Sequence, residues 1–564
     1  MKLMAIFCAL LTANFIDAQE IDLAEAVAGL LGENEIEAID PEIMESLENL
    51  AACPIDINAS SISVLESYGI LTHYQLASLR DYRLRHGDLH SYTELSAVDG
   101  FSADFVRLLS SFIKIGLPSV TQGTSPQGFK GELALRGGYK AYTEKQMRKS
   151  TYAAKFRGSY SDKAVVSFSA TEPYDSMKAW PTVYSGNVAW MHRYGKVIAG
   201  DFNARFGQGL ALWNTASFSS LTSPSVFMKR PAGFSPTNSY TATTALTGLA
   251  ADFLAGRWKL SGMLAMPGIK HLKARPDRFM LNPALNLSRY FRYGHMGITH
   301  TMTFSSFLEG DYWIPQMLSS LDASICIKGV NLFGECMYDW VSRSVSFVTG
   351  QDCGIGERFH LACLVRYLPV SNEHGAALSG QFRTASHEVI LSADGLYHPQ
   401  SKSKDGRESY QMKAQVNWDW AALPGLHLKL RLSERIRTWG NLSRTALRAD
   451  LKYDGGRWNS TLRLEALYGV AFACLGYLEG GYKSEKLSIY LRYGMFDIDN
   501  WDDRIYVYER DARGNFNVPS FYGRGLWTSA YMKWKFARWG SLDLRAIYKN
   551  PGSAEVKTYL VFLF

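Results

Sequence analysis

Long apolar runs are missing from most of the sequence, which excludes a protein that crosses a membrane with helices. A membrane-spanning helix needs about 20 apolar residues, and no such run follows residue 18. Hydrophobic residues still make up 47% of the chain and charged residues only 20%, a composition that excludes a disordered chain. Any insertion into a membrane must therefore use β-strands.

Motifs of enzyme and metal sites are missing as well. The six cysteines after residue 18 show no C-x-x-C spacing, so they indicate neither a zinc site nor a redox motif. There is no nucleophile elbow, zinc-protease, Walker or dinucleotide-binding motif, and Ser386, His387 and Glu388 alternate between the faces of a predicted strand. The sequence predicts no enzyme, no catalytic residue, no metal site and no cofactor.

Lysine and arginine are absent from residues 20–79, which carry twelve acidic residues. Residues 19–115 have a net charge of −12, whereas residues 116–564 have a net charge of +19. Opposite charges of this size attract each other. We therefore expect the acidic front of the chain to dock onto a basic surface, either the mouth of its own basic body or another envelope protein.

The first 18 residues have the pattern of a secretory signal peptide. Lys2 is followed by the apolar stretch 3–16 and by the small residue Ala18, and this stretch is shorter than a membrane anchor. We predict cleavage after Ala18 and export of the mature chain.

Start and stop signals for short helices cluster in the acidic front. We predict an acidic helical segment over residues 19–52, with Pro41 in the first turn after Asp40, and an all-α module over residues 53–115. The four predicted helices of the module span residues 59–67, 73–86, 92–98 and 103–113, with start signals at Asn58, at Thr72 and Gln75, at Ser91 and Glu94, and at Ser102.

The module resembles the tandem helix-hairpin-helix domain of competence DNA receptors. The residues that carry the resemblance are Asp56-Ile57-Asn58-Ala59-Ser60, Tyr82-Arg83, Gly87, Glu94-Leu95 and Val98-Asp99-Gly100-Phe101. In DNA-binding members of that family, a Gly-hydrophobic-Gly tip brings backbone N–H groups close to a phosphate.

The corresponding tips here are Gly69-Ile70-Leu71 and Gly100-Phe101-Ser102, and both lack the second glycine. Arg80, Arg83 and Arg85 form a possible basic patch on one helix, but at this spacing they are more typical of a solvated face. Non-specific DNA binding depends on Lys and Arg, so the net charge of −12 favours a docking role over DNA binding.

From about residue 131, after a predicted linker over residues 116–130, polar and apolar residues alternate with a period of two. The alternation is clearest in residues 443–453 and 457–468, where one face is apolar and the other charged. Strands of about ten residues over the 131–564 region predict a large all-β transmembrane barrel of roughly 20–24 antiparallel strands. The last strand ends with Phe562 and Phe564, which resemble a C-terminal signal for outer-membrane assembly.

The polar face of these strands is rich in basic residues. If it faces the lumen, it forms a luminal basic wall that attracts anions or a fixed acidic element; alternatively, these residues pair with lipopolysaccharide or with one another. The predicted wall consists of Lys413, Lys429, Arg431, Arg435, Arg444, Arg448, Lys452, Arg457, Arg463, Lys486, Arg492, Lys533, Lys535, Arg545 and Lys549.

Three segments interrupt the alternation. Residues 203–241 are too long for a turn and too apolar for a linker, which predicts a loop folded into the barrel. Residues 267–292 are interpreted as a basic loop. Residues 497–525 contain six acidic residues without the EF-hand order, so a salt-bridged hairpin is favoured over a calcium site.

The chain also resembles helix-hairpin-helix domain-containing outer-membrane β-barrel proteins over most of residues 53–564. Two further motifs carry this resemblance, Arg205-Phe206-Gly207-Gln208-Gly209-Leu210 and Tyr508-Glu509-Arg510-Asp511. This resemblance implies an outer-membrane address, with the module in the periplasm, but no settled activity. We predict a non-enzymatic channel, transport component or envelope scaffold; the alternative is a DNA-binding or DNA-uptake protein. The expected partners are outer-membrane lipid, lipopolysaccharide, the barrel-assembly machinery and an envelope protein, with DNA disfavoured.

Overall fold

The structure is a computed structural model that describes residues 22–116, 128–142, 147–160, 163–174, 180–192, 194–215, 221–240, 244–267, 278–307, 312–356, 358–402, 406–440 and 442–564. The predicted signal peptide, residues 1–18, and most of the predicted linker lie outside the described residues.

A closed antiparallel barrel of 24 strands forms the body of the protein, as the alternating sequence predicts. The wall closes where its last strand pairs with its first, through residues 553–563 and 132–142. The wall strands are β3 (Phe129–Tyr142), β4 (Met147–Tyr160), β5 (Ala164–Glu172), β6 (Val183–His192), β7 (Gly195–Arg205), β9 (Leu246–Ala255), β10 (Trp258–Pro267), β11 (Arg278–Phe291), β12 (Gly294–Phe307), β13 (Tyr312–Ile327), β14 (Val330–Asp339), β15 (Ser344–Ile355), β16 (Phe359–Leu368), β17 (Glu373–Arg383), β18 (His387–His398), β19 (Ser409–Leu423), β20 (Leu426–Arg437), β21 (Leu442–Asp454), β22 (Trp458–Tyr468), β23 (Phe472–Lys483), β24 (Leu487–Ile498), β27 (Gly523–Ala537), β28 (Gly540–Asn550) and β29 (Ser553–Leu563).

Alternation along each strand places apolar side chains outside and polar side chains inside. In β21, Leu447 and Leu451 are exposed, whereas Ala446, Arg448 and Asp450 between and beside them are buried. The same outward exposure holds for a leucine-rich belt around the wall, because a barrel that crosses a bilayer presents its apolar face to lipid. The belt includes Leu249, Leu285, Leu321, Leu378, Leu432, Leu464, Leu478 and Leu491.

Exposed aromatic residues border this belt at both rims, as expected where a barrel meets the polar headgroups. One rim carries Tyr160, Tyr194, Trp258, Tyr293, Trp458 and Trp539, and the other carries Tyr139, Trp340, Tyr410, Tyr468 and Tyr548.

The two ends of the barrel differ in their connections. At one end, here the short-turn end, every strand connection has two or three residues, and the chain enters β3 and leaves β29 there. At the opposite, long-loop end, the longest connections are residues 206–245 and 499–522. Short turns are typical of the periplasmic side of such barrels and long loops of the outer side.

Six α-helices form the N-terminal part of the described chain. They are α1 (Leu23–Leu31), α2 (Pro41–Ala52), α3 (Ile62–Glu66), α4 (His73–His86), α5 (Tyr92–Leu95) and α6 (Ala103–Leu109). Strands β1 (Ile55–Asp56) and β2 (Ile113–Lys114) pair in parallel and bring the ends of the α3–α6 region together. None of the helices in the described part of the chain is long and apolar enough to span a membrane.

One hydrophobic core joins the two helical units that the sequence separates. Val27 and Leu30 of α1 and Leu47 of α2 pack in the same cluster as Leu76 of α4 and Leu109 of α6. The segment 19–52 and the module 53–115 are therefore one folded unit where they are described.

The helix starts follow the sequence signals with one correction. Thr72 and Gln75 form a capping box at α4, and Asp40 caps α2 with Pro41 in its first turn. The prediction that Asn58 caps the next helix is wrong, because Ser61 caps α3. The Asn58 side chain instead bonds both backbone groups of Leu89, and it holds two segments of the unit together.

Substitution of a lipid-facing residue tests the orientation of the wall. Leu464 lies at the middle of β22 and is 55% exposed, so Leu464→Arg should lower the free energy of unfolding in lipid vesicles by about 2–4 kcal/mol. Tryptophan fluorescence during urea unfolding measures this change. The control, Glu485→Arg in an exposed short turn, should leave the stability unchanged; equal effects would contradict the orientation.

Candidate functional site

The helical unit, residues 22–116, lies inside the barrel and is called the plug from here on. The sequence predicts a module beyond the barrel or at its mouth, whereas the structure places it against inward-facing side chains of strands from β4 to β22. Lys155 of β4 pairs with Glu45, and Arg463 of β22 pairs with Glu37. The predicted acid-to-base docking occurs, but deeper than expected.

Of the eleven acidic residues that the structure describes between positions 22 and 79, six form ion pairs with basic side chains of the barrel or of the connection 499–522. Glu45, Glu66, Lys155, Lys259, Arg448 and Arg463 are buried, and the other paired residues except Glu25 are partly buried, so the lumen contains matched opposite charges. The pairs are Asp22 with Arg510, Glu25 with Lys452, Glu35 with Arg431, Glu37 with Arg448 and Arg463, Glu45 with Lys155, and Glu66 with Lys259.

Glu37 pairs with two arginines of the wall at once. Its Oε1 atom lies 2.6 Å from Nη1 of Arg463 and 3.4 Å from Nη2 of Arg448, and it accepts a hydrogen bond of 3.2 Å from the Tyr508 backbone. Asp450 bonds both arginines from the wall side. Removal of Glu37 is expected to be costly, because Asp450 then faces two buried arginines and one positive charge has no matching carboxylate.

The residues of the predicted basic wall fall into four groups. Arg431, Arg448, Lys452 and Arg463 contact the plug, whereas Arg444, Arg492 and Arg545 bond the inner loop 499–522. Lys429 and Arg435 bond the wall residues Asp419 and Gln411, Lys549 stacks on Phe496 and Phe521, and Lys413 and Lys533 lie half-buried. Arg457, Lys486 and Lys535 are exposed at the short-turn end.

The long connection 206–245 folds into the barrel, as predicted from its length and composition. Its short strand β8 (Gly233–Pro236) pairs with residues 202–205 at the end of β7. Glu335 of β14 accepts hydrogen bonds from the backbone N–H groups of Gln208, Leu210 and Ala211 at 2.7, 3.0 and 3.3 Å. The wall thereby holds the glycine-rich segment of this loop by the backbone of the loop.

The connection 499–522 is a salt-bridged hairpin, as the sequence favours. Strands β25 (Ile505–Tyr506) and β26 (Ser520–Phe521) form its base. Glu509 and Asp511 pair with Arg545 of the wall at 3.1 and 3.2 Å, while Arg510 between them pairs with Asp22 of the plug. This hairpin therefore connects wall and plug through alternate residues.

The predicted basic loop over residues 267–292 is wrong in its extent. Residues 278–291 are strand β11, so Arg289 and Arg292 lie at the short-turn end, away from the connection that follows β10. Lys270, Lys273 and Arg275 lie outside the described residues.

The first hairpin tip is buried between the plug and the inner loop 206–245. Ile70 and Leu71 are fully buried, and the Ile70 carbonyl accepts a hydrogen bond of 3.2 Å from Arg230. Gly69 adopts a φ of 64° and lies beside the Arg230 carbonyl and Ala232. This tip contacts protein on the side where a phosphate would approach.

The second tip and the possible basic patch have structural contacts. Phe101 is buried in the plug core, the Gly100 carbonyl accepts a hydrogen bond from Gln75, and Ser102 caps α6. Arg83 donates to the carbonyls of Asn58 and Ser60, Arg85 pairs with Asp81 of its own helix, and Arg80 lies towards Tyr290 of the wall.

A buried polar cluster at the plug–wall contact has no signal in the sequence. Glu66 and His73 of the plug meet Tyr290, His295 and Asp322 of strands β11, β12 and β13. Burial and the neighbouring His295 lower the pKa of His73 to about 4. These residues are far apart in the chain, so only the fold brings them together.

A cavity of about 90 Å³ lies between α2 and one side of the wall. Glu42, Glu45, Lys155, Arg157 and Asn203 are among its lining residues. The plug therefore leaves room for water along part of the lumen.

The C-terminal residues close the barrel. The Phe564 carbonyl and N–H pair with Gly131 at 2.6 and 2.9 Å, and its ring packs near Phe129 and Phe156. Phe562 stacks on Trp539 in the neighbouring turn.

No protein-family model and no curated protein matches this chain in sequence. Solved structures with a similar fold include the ferric enterobactin receptor of Pseudomonas aeruginosa, at 8% identity and a TM-score of 0.41 over 78% of this chain and 82% of that chain. The siderophore receptor PirA of Acinetobacter baumannii has a TM-score of 0.40 at 8% identity, over 78% and 81% of the two chains. The translocation pore of the P pilus usher PapC has a TM-score of 0.39 at 9% identity, over 77% and 99%. Likenesses this distant carry no inference about what this barrel binds or moves.

Removal of the Glu37 carboxylate tests the strength of the plug contact. Glu37→Ala leaves Arg448 and Arg463 buried with one carboxylate fewer, so it should destabilise the seated plug by about 3–5 kcal/mol. Hydrogen exchange of the α1 and α2 amides in detergent-solubilised protein measures this loss. The control is Asp104→Ala, which removes an exposed pair with Arg383 and should cost less than about 1 kcal/mol; a similar cost for both would contradict the role of buried pairs.

Plug stability should fall as the pH rises through neutrality. Burial and the adjacent Glu35 raise the pKa of Glu33 from 4.5 to about 8, and burial raises that of Glu48 to about 7. A carboxyl group with a raised pKa favours the folded state below its unfolded pKa, and this contribution is lost as the pH passes the folded value. Protection of plug amides should therefore decrease between about pH 5 and about pH 9, and Glu33→Gln should flatten the decrease. An unchanged profile in this variant would contradict the assignment to Glu33.

Proposed function

We propose that this protein is a non-enzymatic transport channel of the outer membrane whose own N-terminal domain closes the lumen as a plug. The observation that carries the proposal is the set of ion pairs between acidic residues of the plug and basic residues around the lumen. Interactions of this kind hold a domain in place and can also be exchanged for contacts with water and solute ions. A domain that occupied the lumen permanently would be expected to use an apolar interface.

The apolar belt, the aromatic rims and the unequal ends support insertion with the short-turn end in the periplasm. In this orientation the plug presents α4, α5 and α6 to the periplasm, where Asp104 pairs with Arg383 at the last residue of β17. Leu84 of α4 is 73% exposed on the plug. An envelope protein that binds this face and pulls the plug out of the lumen would open the channel. This protein would be the periplasmic docking partner that the sequence predicts.

The helix-hairpin-helix resemblance remains a prediction, and no contact among the described residues favours the DNA-binding alternative. The first tip is covered by Arg230 and Ala232. In the possible patch, Arg83 bonds another part of the plug and Arg85 pairs with Asp81 of its own helix. The intact protein in detergent should therefore not retard duplex DNA in a salt-dependent manner. A clear shift at moderate salt would reverse this ranking.

Single-channel recording in planar bilayers tests the proposed function. The full chain should conduct weakly, and a variant lacking residues 20–115 should conduct well, because the lumen is then open and water-filled. The emptied lumen should prefer anions, since inward-facing arginines lose their carboxylate partners and raise the local anion concentration.

Charge reversal in the deletion variant checks the source of this selectivity. Arg431→Glu with Arg463→Glu should reduce or reverse the anion preference, whereas Arg457→Glu at the exposed short-turn end should preserve it. Heat-modifiable mobility on gels verifies that each barrel is folded. Absence of conductance in both the full chain and the folded deletion variant would reject the channel and favour a scaffold.

A further inference from the structure

We propose that His73, His295 and Asp322 form a buried binding site for one divalent transition-metal ion that joins the plug to the barrel wall. His73 is the first residue of α4 in the plug, and His295 and Asp322 belong to the adjacent wall strands β12 and β13. The three residues come from three elements, so the ion would connect parts of the chain that are otherwise held by ion pairs and packing.

The ligand atoms already lie close together. One imidazole nitrogen from each histidine and one carboxylate oxygen of Asp322 are all within 4.8 Å of one another, and all three residues are buried. Atoms bound to one tetrahedral zinc ion at about 2.0–2.1 Å lie about 3.4 Å apart. The two imidazole rings lie face to face, with centroids 3.8 Å apart and planes tilted by 31°, so the site would close with a movement on the order of 1–2 Å and a rotation of one ring.

Two polar atoms of the cluster lack hydrogen-bond partners among the described residues. Nδ1 of His295 lies 3.2 Å from Oδ2 of Asp322 without the alignment of a hydrogen bond, and Oδ1 of Asp322 has no partner. His295 and Asp322 are only 2% and 3% exposed. Buried polar atoms are rarely left without a partner, and a bound cation would satisfy both.

The charges of the surroundings also fit a cation. Glu66 and Asp252 each have a lysine partner, Lys259 and Lys196 respectively. Asp322 is the carboxylate of this cluster that pairs with neither lysine nor arginine in the described chain, so its negative charge remains available for a metal ion. Glu66 Oε1 lies 3.5 Å from Nε2 of His73, where it orients the ring.

The donor set selects the class of metal. Two imidazoles and one carboxylate are typical ligands of zinc, iron and related first-row ions, whereas calcium and magnesium prefer oxygen ligands alone. The site lies near the short-turn end, since His295 is the second residue of β12. A metal ion would therefore enter as the plug seats and would be retained once the plug is in place.

Metal retention by the refolded full chain tests the proposal. The protein is refolded in detergent with Zn²⁺ or Co²⁺, desalted and analysed by elemental mass spectrometry, and the Co²⁺ sample is also examined by visible absorption. The wild-type chain should retain about one ion, with cobalt bands that indicate nitrogen and oxygen ligands. His73→Ala and Asp322→Asn should each lower retention by about tenfold or more.

Two controls separate this site from surface binding and from misfolding. His86→Ala and His90→Ala change exposed histidines of the plug and should retain metal like the wild type. Heat-modifiable mobility confirms a closed barrel, and His73→Ala leaves the wall sequence intact, so loss of metal in this folded variant reports the site. Wild-type protein that retains no ion, or His73→Ala protein that retains as much as the wild type, would overturn the proposal.

Discussion

The pairing of buried carboxylates on the plug with buried cations in the lumen is the interaction on which the rest of the structure depends. Arg448 and Arg463 point inwards and are nearly fully buried, a position that is unfavourable for a charge without a counterion. Glu37 and Asp450 remove this penalty from opposite sides. The front of the chain is acidic and the body is basic because the two surfaces are in contact. This difference in charge stabilises the contact and also determines which surface the plug binds.

The fold of the body could be predicted from the sequence because its signal is local. Alternation in residues 443–453 assigns each side chain of β21 to lipid or lumen without knowledge of its neighbours. The position of the plug could not be predicted from net charge. A basic barrel mouth and a basic lumen both attract an acidic domain, so the charge does not distinguish the two positions. The cap at Ser61 was missed because Asn58 is an equally good cap three residues earlier.

Some residues of the plug–wall contact could be identified from the sequence and others could not. Basic residues of the lumen were identified by their alternation, but His73 lies more than two hundred residues before His295 and Asp322, and the three share no motif spacing. The two phrases that resemble the barrel family, Arg205–Leu210 and Tyr508–Asp511, lie in the inner loops. Each touches the wall, through Glu335 or Arg545, and the second also touches the plug. The sequence of the second is therefore constrained by the wall and by the plug at once.

The location of the plug also determines when its contacts can form during biogenesis. Asp22 pairs with Arg510, a residue 488 positions further along the chain, and closure requires β29 to reach β3. The helices of the plug must therefore wait until the strands that follow them in the chain have been made. Contacts of such long range form slowly and leave acidic helices uncovered meanwhile, so these helices must remain soluble on their own, which their surplus of carboxylates favours.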